Sequence, residues 1–146
     1  MRDLTNKIAW ITGGGTGMGR SAALALAAAG MKVVLSGRRR DKLEAVAAEI
    51  GESAHIETLD VTDSNAVAEV GKRISAQLGT VDILVNSAGI NTLKRFWRDQ
   101  AIEEFDRVMA INLNGSFYCA QAVLPAMRAQ SDGLIINISS TAGVYN

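Results

Sequence analysis

Several things are scarce in this sequence, and each scarcity excludes something. Among 146 residues there is one cysteine, Cys119, so no intrachain disulfide can form; a reducing compartment is the simplest expectation. Cys119 lies in an apolar stretch and reads as a packing residue rather than a reactive thiol. There is one proline, Pro125, placed late in a helical stretch that it is expected to kink or end. Neither sign of charge dominates, since fifteen basic side chains meet fifteen acidic ones. This balance argues against nucleic acid as a partner and against an acidic, solvated arm, and it leaves little repulsion to oppose self-association. Long apolar runs are missing too. Asp3, Thr5, Asn6 and Lys7 interrupt the N-terminus, so neither a signal peptide nor a membrane span is expected, and a cytoplasmic location follows as the expectation. What remains is ordinary for one globular domain over 1–146: 48% hydrophobic and 21% charged residues, enough to bury a core.

Short apolar runs alternate with helical patterns along the whole chain. Strands are expected at Lys7–Ile11, Lys32–Ser36, His55–Leu59, Val81–Val85 and Leu134–Ile138. Helices are expected from about Met18 to Ala29, from Asp41 to Ile50, from Asp63 to Leu78 and from Ala101 to Met127. Gly30, Gly51, Gly79 and Gly133 punctuate the pattern. Strands this apolar must be covered on both faces, which predicts an α/β fold: a doubly wound, Rossmann-like parallel sheet in the order 3-2-1-4-5.

Each strand runs into polar or glycine-rich sequence at its C-terminal end, and in an open α/β sheet all these ends share one rim where ligands bind. The first is Thr12-Gly13-Gly14-Gly15-Thr16-Gly17-Met18-Gly19, set directly between a strand and a helix. Glycines there let the chain turn and let a pyrophosphate reach the backbone, while the helix start offers free N–H groups. Past the second strand, Ser36-Gly37-Arg38-Arg39-Arg40 has no acid to hold a ribose 2′-hydroxyl, and Arg38 and Arg39 could meet a 2′-phosphate instead. This predicts NADP in preference to NAD, with a solvated basic turn as the alternative. Asp60 is either an acceptor for the adenine amino group or a helix N-cap, a role Asp63 could equally fill. Asn112 falls on the apolar stripe Phe105, Met109, Asn112, Ser116, Cys119 or Ala120, Val123, Met127, and so is expected to face the core. There it either makes a structural hydrogen bond or positions water or a catalytic group. Ser139 and Ser140, taken alone, signal only a turn.

Taken together, these motifs resemble the short-chain dehydrogenases/reductases from about Lys7 to Gly143. Thr12-Gly13-x-x-x-Gly17-x-Gly19 is similar to that family's cofactor loop, and Asp60-Val61 to its adenine-site pair. Asn86-Ser87-Ala88-Gly89 resembles Asn-Asn-Ala-Gly with one substitution, Ile111-Asn112-Leu113-Asn114-Gly115 carries the family's asparagine, and Ser140-Thr141-Ala142-Gly143 its serine. The resemblance implies hydride transfer between a nicotinamide and a small-molecule carbonyl or alcohol. Gly13, Thr16, Gly17, Met18 and Gly19 would line the pyrophosphate and nicotinamide side, and Asn86, Ala88 and Gly89 would border the adenosine ribose and the nicotinamide approach. Ser140 would orient the substrate oxygen and Asn112 would anchor a water relay. Homo-oligomers are implied as well, through the long fourth helix. In one respect the sequence departs from the family: no Tyr-x-x-x-Lys occurs, because Tyr118 is followed four places on by Ala122 and Lys94 is the last lysine. That pair supplies the family's proton donor. The expectation is therefore the N-terminal part of such an enzyme, without the family's C-terminal strands and helices and inactive by itself. The alternative is a non-catalytic dinucleotide-binding or subunit-pairing module.

Overall fold

The computed structural model describes residues 3–92 and 96–140. Five parallel strands form one sheet: β1 (Ile8–Thr12), β2 (Lys32–Gly37), β3 (Ala54–Thr58), β4 (Ile83–Asn86) and β5 (Leu134–Asn137), in the order β3-β2-β1-β4-β5. This is the doubly wound, Rossmann-like α/β fold that the alternating pattern predicts. Helices α1 (Gly17–Ala28), α2 (Arg40–Ile50) and α3 (Ser64–Gln77) connect the first four strands. A 3-10 turn, Trp97–Asp99, then leads to α4 (Ile102–Val108), a π-helical segment Met109–Asn114, and α5 (Gly115–Ala129).

Alternation along each strand divides the core into two layers. Ile8, Trp10, Val34 and Leu84 point to one face, where Val67, Val70 and Ile74 of α3 and Cys119, Val123 and Met127 of α5 cover them. Ala9, Ile11, Val33, Leu35, Ile83 and Val85 point to the other, under Ala23 of α1 and Leu43 and Val46 of α2. The inner strands β1, β2 and β4 are almost wholly buried, whereas β3 and β5 are half-covered at the edges. In the first layer the buried Trp10 indole donates to Ser36 Oγ at 2.8 Å, so neither polar group is left unmet.

The structure corrects the sequence pattern in the fourth helical stretch. Phe105, Met109 and Asn112 do not face the core but are exposed, and Ile111 is buried in their place. The π segment widens one turn and moves the buried stripe by one residue. From there it runs Ile111, Gly115, Cys119, Val123, Met127, always four apart. Pro125 does not end α5, which continues to Ala129. It sits on the exposed side of the last turns, where the loss of one backbone bond falls near a helix end.

Candidate functional site

The C-terminal ends of the strands open onto a cleft of about 310 Å³, within the range of small-ligand sites. Its wall on the β1 side is the glycine loop. Gly13 has φ +65°, and a Cβ there would lie 2.8 Å from the Ser87 carbonyl oxygen, so only glycine lets the loop lie against the chain after β4. A Cβ at Gly19 would come 2.3 Å from the Gly13 carbonyl oxygen. At Gly17, φ is +54° and a Cβ would meet nothing within 4 Å, because that position faces the open cleft. Thr12, buried at the end of β1, ties the two walls together: its hydroxyl accepts from the backbone N–H groups of Ser87 and Ala88, both at 3.2 Å.

Helix α1 starts at this wall without a side-chain cap from Thr16, the residue at its N-cap position. Helix α3 differs, since Asp63 there accepts from Ala66 N at 3.0 Å. An uncapped helix start beside a cleft offers N–H groups and a partial positive charge to an anion. The open space at Gly17 and the close-packed Gly13 and Gly19 thus form a cradle that fits a dinucleotide pyrophosphate.

Next to the loop, where the chain leaves β2, stand Gly37, Arg38, Arg39 and Lys42. The Arg38 guanidinium lies 3.9 Å from an Asp60 carboxylate oxygen, and Arg39 reaches Thr16 Oγ1 at 3.5 Å. Arg40 turns away to pair with Glu44 at 2.7 Å. Asp60 is not a cap, since Asp63 holds that role. Its Oδ1 accepts from the Thr62 N–H at 3.0 Å and from the Thr62 hydroxyl at 2.8 Å. The Thr62 N–H above all holds the Asp60 carboxyl below its ordinary range; burial, the next influence in size, opposes it, and the Thr62 hydroxyl and Arg38 add to the lowering. The apolar floor of the cleft comprises Leu43, Leu59, Val61, Ala88, Ile90 and Ile111.

Of the residues singled out in the sequence, Gly13, Thr16, Gly17, Met18, Arg38, Arg39, Asp60, Val61, Ala88 and Gly89 line this cleft together. Gly19 and Asn86 stand behind the wall. The Asn86 side chain is buried, where its Nδ2 donates to Asn137 Oδ1 at 2.9 Å and to the Ser116 carbonyl at 3.3 Å; it braces β4 against β5 and α5. Asn112 clamps the loop after β4: its Oδ1 accepts from Ile90 N and its Nδ2 donates to Ile90 O, both at 2.9 Å. Its bond partner is a loop, not a strand, and the π segment is what presents the amide to it. Ser140 is exposed beyond the end of β5. Thr141, Ala142 and Gly143 of the serine motif, Lys94, Tyr145 and the Trp97 side chain lie outside the described residues. Sequence reasoning passed over Thr12, Lys42 and Ile111 as residues of the site. Thr12 stood within the motif, but its hydroxyl could not be assigned partners 75 residues away. Burial pushes the Cys119 thiol up to about 12, in keeping with a packing role.

The fold and this cleft define a Rossmann-like sheet with a candidate site on its C-terminal rim, and comparison with known proteins specifies it further. The chain belongs to the short-chain dehydrogenase family, whose model matches residues 7–146. It is 42% identical over 144 residues to an uncharacterized oxidoreductase of Staphylococcus aureus (strain N315), a match covering 98% of this chain and 62% of that protein. It is 40% identical over 147 residues to an uncharacterized oxidoreductase of Staphylococcus saprophyticus, with the same coverage. Among solved structures it superposes on serine dehydrogenase from Escherichia coli with a TM-score of 0.89 at 33% identity, over 95% of this chain and 64% of that one. The chain therefore spans less than two thirds of the length of these relatives.

Proposed function

We propose that the protein is an NADP(H)-dependent oxidoreductase that interconverts a carbonyl and an alcohol on a small molecule. The observation that carries this reading is the cleft itself: an uncapped helix start with two arginines beside it, on the ligand-binding rim of a short-chain dehydrogenase sheet. The α1 N-terminus with Gly13, Thr16, Gly17 and Met18 would hold the pyrophosphate, with Gly19 shaping the loop from behind. Asp60, beside Val61, would accept from the adenine amino group, and Arg38 and Arg39 would receive the 2′-phosphate. Ala88 and Gly89 would border the ribose, on a β4 end that Asn86 braces. When bound, the cofactor supplies or accepts a hydride. The chain's own contribution is to exclude water from the apolar floor and to orient the reactants. Ser140 would orient the substrate oxygen, and Asn112, through its hold on Ile90, would set the loop beside the reacting centre. A serine dehydrogenase as structural neighbour fits alcohol chemistry of this kind.

These 146 residues contain no Tyr-x-x-x-Lys, and a general acid typically contributes ~10²–10⁴-fold to the rate. This favours a second statement about the chain by itself: it binds the dinucleotide without turning substrate over. Titration calorimetry with NADPH and NADH, on the full-length protein and on residues 1–146, tests both. Tighter NADPH binding by each, with turnover only by the former, is expected. Equal or tighter NADH binding would overturn the choice of cofactor, and turnover by residues 1–146 the second statement.

A further inference from the structure

Four cations fall within five residues at the start of α2, Arg38, Arg39, Arg40 and Lys42, with Asp41 as the one acid among them. A helix N-terminus carries partial positive charge, so this placement works against the helix. Departures of this kind from local preference concentrate at functional sites. The four do not share one fate. Arg38 and Arg39 line the cleft, and Arg40 is committed to Glu44 on the outer face of α2. Lys42, one residue beyond the acid, returns to the cleft. Its position there is built. A Cβ at Gly15 would lie 2.9 Å from Lys42 Cβ and 3.3 Å from its carbonyl carbon, so the bare glycine backbone seats the root of the lysine side chain against the loop. Among the described residues the Lys42 ammonium has only a loose partner, the neighbouring Asp41 carboxylate at 3.8 Å. Among the described residues, Arg38, Arg39, Lys42 and Asp60 are the charged side chains of the cleft lining, an excess of positive charge.

We propose that Lys42 is a third recognition residue for the cofactor's 2′-phosphate and that Arg40 takes no part; this rests on the NADP reading given above. Arg38 and Arg39 offer planar forks, and Lys42 adds a mobile point charge from the glycine-loop side, so that the phosphate is approached from two walls.

The test uses the full-length protein and two probes that differ only in the phosphate, adenosine 2′,5′-bisphosphate and adenosine 5′-monophosphate, with affinities from calorimetry. Lys42→Gln is expected to weaken the bisphosphate about five- to tenfold, the range for an exposed charge-assisted contact. It should leave the monophosphate within about twofold, and Lys42→Arg should restore most of the loss. Arg40→Gln should leave both probes unchanged. An equal loss of both probes in Lys42→Gln, no loss of either, or an equal loss of the bisphosphate in Arg40→Gln would overturn the proposal. The double variant Arg38→Gln/Arg39→Gln separates this from the reading beneath it. If the double variant still prefers the bisphosphate, the NADP reading itself fails. If it loses that preference while Lys42→Gln keeps it, only the role of Lys42 fails.

Discussion

The Thr12 hydroxyl accepts from two backbone N–H groups and faces the Val85 carbonyl at 3.5 Å, all within the buried end of β1. Thr12→Val keeps the shape but leaves both N–H groups without an acceptor. A loss of about 1–3 kcal/mol is expected, read as a lower urea midpoint at unchanged slope, and Thr12→Ser should recover most of it. The glycine loop should divide by position. Gly19→Ala drives a methyl into the Gly13 carbonyl and is expected to weaken dinucleotide binding more than about tenfold, since the loop must move. Gly17→Ala has open space but keeps a left-handed backbone, so a stability loss of about 1–2 kcal/mol is expected. Asp60 adds a pH dependence of defined sign. Its folded-state carboxyl lies below its ordinary range, so its contribution to stability is present above the unfolded value near 4 and fades as the pH falls through the lower, folded value. Acid unfolding of Asp60→Asn should lack that part of the slope; an unchanged slope would show that the Thr62 and Arg38 contacts do not persist in solution.

At the scale of elements, the π segment between α4 and α5 matters most. It lets Asn112 reach the Ile90 backbone while Ile111 and Gly115 pack inward. Behind the cleft, a Cβ at Gly115 would lie 2.6 Å from Val61 Cγ2. Gly115→Ala should cost about 1–3 kcal/mol through overpacking. Adding Val61→Ala should return part of that loss, with a coupling above about 0.5 kcal/mol in a double-mutant cycle. Strict additivity would mean that the helix and the cleft floor are not in contact. One turn further on, Cys119 is fully buried with its thiol pushed up to about 12. It should resist a thiol-reactive dye at neutral pH until the protein is unfolded.

At the scale of the whole molecule, two apolar surfaces stand uncovered by the described residues. One is the outer side of α4 and α5, with Ile102, Phe105, Met109, Leu113, Phe117 and Leu124; the other is the β5 edge, with Leu134 and Ile138. Patches and edges of this kind invite association, in keeping with the homo-oligomers that the family resemblance implies. Residues 1–146 alone should sediment as concentration-dependent aggregates. In the full-length protein, Phe105→Asp with Phe117→Asp should lower the oligomer mass, and an unchanged mass would assign the helix face to another partner.

The sequence by itself determined the strand order and the rim on which the site lies, because continuous apolar runs, which must be covered on both faces, and the glycine breaks and helix starts between them are all written locally in the chain. That the glycine loop, Arg38, Arg39 and Asp60 lie on this rim was legible for the same reason: each closely follows a strand end. Only the tertiary structure decided the rest. The one-residue shift at the π segment turned Asn112 out and Ile111 in, which a regular helical period cannot reveal. Partners distant in the chain placed Asn86 behind the wall rather than in it. Of two neighbouring cations on α2, Arg40 went to Glu44 and Lys42 to the cleft, because the bare backbone of Gly15 lies beside only one of them.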